Sequence, residues 1–304
     1  MVDSVGLIGL GIMGSAIGKN LLSAGYRVIG YDLSQPAMRE FVVAGGTAGS
    51  SPRGVMEGAT TVLLCLPSRE ALSQVLEGEN GILESGCQGR VVVEMSTLDL
   101  EAKRAAFEAL STRGITLLDC PISGTGVQAV VKDLVLFCSG DASSFERCRE
   151  LFSIFSRRQI FLGKFGNGST LKYIANHLVT IHNVAAGEAL AFASKCGMDR
   201  HMVFDALVES AACSKMLQVR GPLMVTGEYV PASATIKMQL KDIRIIAGHA
   251  ADVGMPLPLF SAAIQHYVGA VSCGLSNNDT ASVCQISERM AGLNLMNVLG
   301  AQTG

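Results

Sequence analysis

The chain has 304 residues, 49% of them hydrophobic and 16% charged, with 24 Lys+Arg against 26 Asp+Glu for a formal charge of −2. That length predicts two domains, and the composition excludes an intrinsically disordered chain. It also lacks a nucleic-acid footprint: the charge is balanced, Trp is absent and aromatics are 5%.

The mean hydropathy of +0.37 fits either a membrane protein or one with large buried interfaces. A spanning helix needs about 20 consecutive apolar residues. The run from Val5 to Ile17 is broken by Gly6, Gly9, Gly11 and Gly14, and the run from Val62 to Leu66 stops at Pro67. Asp3, with no basic residue before the apolar run, makes a poor signal peptide. The expectation is a cytoplasmic protein. Nine cysteines with no C-x-x-C pair read as free thiols in a reducing compartment, and the five histidines show no ligand spacing, so no metal is expected.

In chain order, strands are predicted at 4–8, 27–31, 61–66, 90–94, 116–119, 134–139 and 159–162. Amphipathic helices are predicted at 13–24, 100–113 and 143–155 between them. That alternation implies βαβ units and a mostly parallel sheet. After Gly168 strand signals become rare. A long helix is predicted over 169–196, capped by Ser169 or Thr170 and ended at Gly197, followed by helices at 200–211, 240–253 and 258–271. The fold class is therefore α/β: a Rossmann-type doubly wound domain, residues 1–165, then an all-helical domain, residues 166–304, joined by the long helix. The last residues, Gly300–Gly304, are expected to fray.

The first turn carries the most specific pattern. Gly9-Leu10-Gly11-Ile12-Met13-Gly14 is G-x-G-x-x-G, placed between an apolar strand and a helix. A second strand follows and ends at Asp32, 18 residues beyond Gly14. Gly9 permits the tight turn, Gly11 lets backbone amides approach a pyrophosphate, and Gly14 lets helix pack on strand. The helix start supplies N–H groups and a positive dipole end. The pattern predicts a dinucleotide cofactor. Asp32 suits the ribose hydroxyls of NAD and repels the extra phosphate of NADP, and no Arg follows among Leu33, Ser34 and Gln35.

A second pattern is Gly166-Asn167-Gly168-Ser169-Thr170-Leu171-Lys172-Tyr173-Ile174-Ala175-Asn176. Lys172 and Asn176 stand one helical turn apart on one face. Spacing alone fits two readings: a desolvated lysine whose pKa falls toward neutrality for proton transfer, or a surface lysine snorkelling at a helix start. Glu94 and Asp119 end predicted strands and read equally as caps or as structural acids.

Four segments together resemble the β-hydroxyacid dehydrogenase family, which includes 3-hydroxyisobutyrate dehydrogenase and is related to 6-phosphogluconate dehydrogenase. They are the cofactor motif Gly9–Gly25, the segment Asp119-Cys120-Pro121-Ile122-Ser123-Gly124-Thr125, the lysine motif Gly166–Asn176, and Lys241-Asp242-Ile243. The resemblance covers nearly the whole chain. It implies a hydride-transferring oxidoreductase that interconverts a small carboxylate-bearing 3-hydroxy acid and its semialdehyde or keto acid. Lys172 would be the catalytic acid/base, and Asn176 would help hold the substrate. Ser123 and Gly124 would bind the substrate carboxylate, with Thr125 next to them; Ser96, beside Thr97, is a further candidate for touching substrate. Leu66, Pro67, Thr97 and Lys241 would contact the cofactor, and the chains would pair as dimers or tetramers.

Two departures fall at the substrate positions. Thr125 stands where the family often has a second glycine, and Ala175 where it often has a first asparagine. Two other readings share the fold: a non-catalytic NAD-sensing module, which the presence of Lys172 argues against, and an imine reductase, in which the lysine is usually replaced.

Overall fold

The computed structural model describes residues 4–293; the fraying expected at Gly300–Gly304 lies outside them. Two compact units make up the chain, Met1–Lys172 and Tyr173–Gly304.

The first unit runs β1 (Ser4–Ile8), α1 (Ile12–Ser23), β2 (Arg27–Tyr31), α2 (Gln35–Val43), β3 (Thr47–Ala48), α3 (Pro52–Gly58), β4 (Thr61–Leu64), α4 (Arg69–Glu77), β5 (Val91–Glu94), α5 (Leu100–Ser111) and β6 (Thr116–Asp119). Then come β7 (Ile122–Ser123), α6 (Gly126–Val130), β8 (Val135–Cys138), α7 (Ala142–Ser153) and β9 (Arg158–Phe161). The six strands β3-β2-β1-β4-β5-β6 form one sheet, parallel at every pairing. The order reverses between β1 and β4, and at such a switch point the carboxyl ends of the strands leave a crevice for ligands.

Successive strand residues feed two different cores. Val5, Leu7, Leu63, Val91, Val93 and Leu118 pack on one face with Ile17, Leu21 and Phe41. Ile8, Val62, Leu64, Val92 and Leu117 pack on the other with Val55, Met56, Leu72 and Leu110. A sheet buried on both faces needs apolar residues at consecutive positions, which is why the strands read as unbroken apolar runs.

The last two predicted strands leave the parallel sheet. β7, β8 and β9 form a second, three-stranded sheet in which β7 pairs antiparallel with β8, and β8 parallel with β9. Helices α2, α3 and α4, among those the sequence analysis does not name, span 9, 7 and 9 residues. Two turns hold too few apolar positions to show a period, and their caps Ser34, Ser51 and Ser68 are the better signal.

The long helix α8 (Asn167–Lys195) begins in the first unit and runs on into the second. There follow α9 (Arg200–Val208), α10 (Lys215–Thr226), α11 (Ile236–Asp252), α12 (Pro258–Ser272) and α13 (Cys284–Met290). Helix α11 starts four residues before the expected Leu240, because Thr235 caps it. Helix α10 was hidden by its internal Gly221-Pro222 pair. Among the described residues, no helix is long and apolar enough to cross a membrane.

Candidate active site

The glycine loop lies at the carboxyl end of β1. Gly9 has φ +92, and a Cβ there would sit 2.2 Å from the Cys65 carbonyl oxygen. A Cβ at Gly14 would sit 1.9 Å from the Gly9 carbonyl oxygen. Both contacts are to backbone, so only glycine fits. A Cβ at Gly11 would meet nothing within 4 Å, so space stands open beside the helix start. Gly11 is the N-cap of α1 and brings no side-chain cap. A close cradle, open space and an uncapped helix start together fit a dinucleotide pyrophosphate. Of the three residues between the glycines, Leu10 is buried, Ile12 is exposed and Met13 packs against the core.

Asp32 follows β2 and is half-buried. Its Oδ2 accepts the Leu10 N–H at 2.6 Å, and its Oδ1 accepts the Ser34 N–H at 2.7 Å. The carboxylate is therefore locked to the glycine loop.

The loop after β4 holds Leu66 and Pro67, and the loop after β5 holds Ser96 and Thr97. They are tied together. The Leu66 N–H donates to the Ser96 Oγ at 2.7 Å, and the Ser96 N–H donates to the Glu94 Oε1 at 2.9 Å. The buried Ser96 hydroxyl thus braces the Leu66 loop. Before Leu66 stands the half-buried Cys65, whose thiol burial, with the charge of Glu94 adding, pushes up to about 12.

Ser123 ends β7, half-buried, with Gly124 exposed beside it. Gly124 has φ +144, and a Cβ there would lie 2.6 Å from the Leu134 Cδ2. Thr125 is the N-cap of α6 in a capping box, its N–H donating to the Gln128 Oε1 at 3.0 Å. The residue that departs from the family pattern therefore starts a helix.

Lys172 is 9% exposed on the second turn of α8. Neither Ser169 nor Thr170 caps that helix, contrary to expectation. The helix begins two residues earlier, the Thr170 hydroxyl donates back to the Gly166 carbonyl, and the Ser169 hydroxyl donates to the Asp119 Oδ1 at 2.7 Å. The cap comes from elsewhere in the chain. The Asp119 Oδ2 accepts the Ser169 N–H at 2.8 Å, and the Ser139 Oγ accepts the Gly168 N–H at 3.0 Å. A carboxylate at a helix start also complements the positive dipole end. Gly168 allows the approach, since a Cβ there would lie 2.3 Å from the Phe137 carbonyl oxygen.

Beneath this cap lies Lys103, missed by the sequence reading. It is fully buried, as are Glu94 and Asp119. Its Nζ lies 2.5 Å from the Glu94 Oε2, 2.8 Å from the Asp119 Oδ1 and 2.8 Å from the Ser96 carbonyl oxygen. Burial pushes the ammonium's pKa down, but Asp119 and Glu94 outweigh burial and hold it above the ordinary lysine value. A signal was present. With Leu100, Ala106 and Leu110, Lys103 completes the inward stripe of α5, and a lysine there needs a partner.

In the second unit Asn176 is buried on α8, and its Nδ2 donates to the Asp242 Oδ2 at 2.8 Å. The neighbouring Lys241 Nζ lies 3.3 Å from the Asp242 Oδ1. Asp242 thus fixes the orientation of the Asn176 amide, a role its place beside Lys241 in the sequence did not announce.

Comparison with known proteins agrees with this geometry. Residues 4–163 match the NAD-binding domain of 6-phosphogluconate dehydrogenase, and residues 166–287 match the NAD-binding domain of NADP-dependent 3-hydroxyisobutyrate dehydrogenase. The chain belongs to the β-hydroxyacid dehydrogenase family. Within it, the chain is 30% identical to glyoxylate/succinic semialdehyde reductase 1 of Arabidopsis thaliana, over 92% of this chain and 97% of that one. It is also 30% identical to the L-threonate dehydrogenase of Cupriavidus necator, over 94% and 96%. The crystal structure of 3-hydroxyisobutyrate dehydrogenase from Salmonella typhimurium superposes with a TM-score of 0.84 at 27% identity, covering 93% of this chain and 99% of that one. This β-hydroxyacid dehydrogenase is an NAD(P)-binding oxidoreductase.

Proposed function

We propose that the chain is an NAD-dependent dehydrogenase of a small 3-hydroxy acid, with Lys172 as its general acid/base. One observation carries the reading. A nearly buried lysine stands one turn beyond a helix start pinned to the carboxyl end of β6, the sheet edge at which the glycine cradle also opens.

The glycine loop and Asp32 would hold the dinucleotide, with Leu66, Pro67 and Thr97 along it. When bound, that cofactor supplies the hydride acceptor in oxidation and the hydride donor in reduction. The proton is the work of the chain. In oxidation the neutral Lys172 amine takes the proton of the substrate hydroxyl at Nζ; in reduction the ammonium returns it to the carbonyl oxygen. The Ser123 hydroxyl and the Gly124 N–H would receive the substrate carboxylate. By motif match, Asn176 would orient substrate and Lys241 would meet the cofactor. NAD is preferred over NADP because the Asp32 carboxylate is locked where a 2′-phosphate would meet it. The helical unit would also carry self-association to a dimer or tetramer, a reading supported by the exposed Ile174, Leu178 and Phe192 on α8.

The test is NAD reduction against a panel of small 3-hydroxy acids, with NADP and Lys172→Ala alongside. Lysine-dependent NADH production from one acid bears the reading out. Binding of NAD without turnover of any acid or aldehyde overturns it in favour of a cofactor-binding module.

A further inference from the structure

Lys103 stands where packing alone calls for an aliphatic side chain. It shares the inward face of α5 with Leu100, Ala106 and Leu110, and it is buried completely. Replacing a buried ion group by apolar side chains is often neutral or stabilising, so stability gives no reason for a lysine here. An ammonium differs from an aliphatic tip in having three N–H bonds that must all be received. Here the Ser96 carbonyl, in the loop after β5, and Asp119, at the end of β6, each receive one, and the Glu94 carboxylate at the end of β5 pairs with the charge at 2.5 Å.

Each carboxylate passes the constraint on. Glu94 accepts the Ser96 N–H, and the Ser96 hydroxyl accepts the Leu66 N–H. Asp119 receives the hydroxyl and N–H of Ser169 and the hydroxyl of Ser139, which in turn receives the Gly168 N–H. One branch ends in the Leu66–Pro67 loop and the other in the turn before Lys172. Every bond in both branches lies within the first unit.

We propose that Lys103 is a positioning residue for the reaction, holding the Leu66–Pro67 loop through Glu94 and Ser96 and the first turn of the Lys172 helix through Asp119. The proposal rests on the assignment of Lys172 above. A group that never touches substrate thereby fixes the register between the loop proposed for cofactor and the lysine proposed for proton transfer. Misplacement of a reacting group by about 1 Å costs on the order of 10²-fold in rate.

The experiment uses the full chain and the variants Lys103→Met, Glu94→Gln and Ser169→Ala. Amide hydrogen exchange is read at 65–68 and 167–172, and steady-state kinetics are run on the acid found active. Ser169→Ala keeps both buried charges, so it folds even if Lys103→Met does not. It is expected to speed exchange at 167–172 only and to lower kcat about tenfold, the equivalent of one charge-assisted hydrogen bond, with KM for NAD unchanged. Glu94→Gln is expected to speed exchange at 65–68 and to raise KM for NAD. Folded Lys103→Met is expected to do both, with kcat down about 10²-fold. Wild-type exchange at both segments in the folded variants, or wild-type kcat in Ser169→Ala, overturns the proposal. If the wild-type chain turns over no acid, the assignment of Lys172 fails instead, and the exchange pattern alone decides the network.

Discussion

The two halves of the ligand edge are built from different materials. Around β1 and β2 the edge is made of backbone: two glycines that leave no room for a Cβ, an uncapped helix start, and one carboxylate bound to two amides. Around β5 and β6 it is made of side chains: a buried lysine between two carboxylates, with three serines carrying the constraint outward. The backbone half presents a shape into which a ligand settles. The side-chain half fixes positions, at the cost of desolvating three charges.

The comparison is broken or sharpened by substitutions on each side. Lys172→Ala has the largest expected effect. kcat should fall by at least about 10²–10⁴-fold with NAD affinity nearly unchanged, since positioned proton transfer contributes that much. Single-turnover kinetics with a titration of NADH fluorescence check both halves of the statement.

Lys103→Met comes next. Two carboxylates would be left buried without their cation, so stability should fall by about 3–5 kcal/mol in urea unfolding. The pH dependence has a definite sign. Because the folded protein holds this ammonium above its ordinary value of 10.5, its contribution is complete below that value and is lost as pH rises through the folded value. The gap between wild type and variant should therefore stay constant from neutrality to about pH 10 and narrow above it. A gap that widens toward alkaline pH would contradict the charge assignment.

On the backbone side, Gly14→Ala forces a Cβ onto the Gly9 carbonyl. It should lower stability by about 1–3 kcal/mol, seen as a drop in Tm, and weaken NAD. Asp32→Ala follows; if the proposed preference for NAD holds, it weakens NAD roughly tenfold and narrows that preference over NADP, measured by paired titrations. Gly11→Ala gives the smallest change in the free protein. Its Cβ enters open space, so Tm should move by no more than about 0.5 kcal/mol equivalent, while cofactor affinity falls if amides there meet phosphate.

The same contrast explains what could be read in advance. The backbone half is local: Gly9, Gly11, Gly14 and Asp32 fall within 24 residues and follow rules of turn and helix geometry. The strands were legible because burial on both faces writes itself as consecutive apolar residues, as in Val62-Leu63-Leu64. The side-chain half is assembled from residues far apart in sequence. Asp119 and Ser169 are 50 positions apart, and Leu66 and Ser96 are 30. No periodicity joins them, so Glu94 and Asp119 read only as strand-ending acids. Lys103 alone left a mark, as a charge inside an apolar stripe. The cap of α8 was misplaced for the same reason: a local serine was the nearest candidate, whereas the acceptors come from the end of β6 and the residue after β8.

That borrowed cap has a consequence for how the chain acquires its chemistry. Most helices here open on their own serine, threonine or aspartate, as α4, α5, α7 and α11 do, and can begin wherever their own segment is free. The first turn of α8 does not, because its Gly168 and Ser169 N–H groups are received by Ser139 and Asp119. Synthesis runs from the amino end, so both acceptors have emerged and can be folded before residues 167–172 arrive. A fragment starting at residue 166 keeps Lys172 and the turn before it but not the place into which that turn locks. The place of Lys172 depends on two strand ends made earlier in the chain as much as on the helix that carries it.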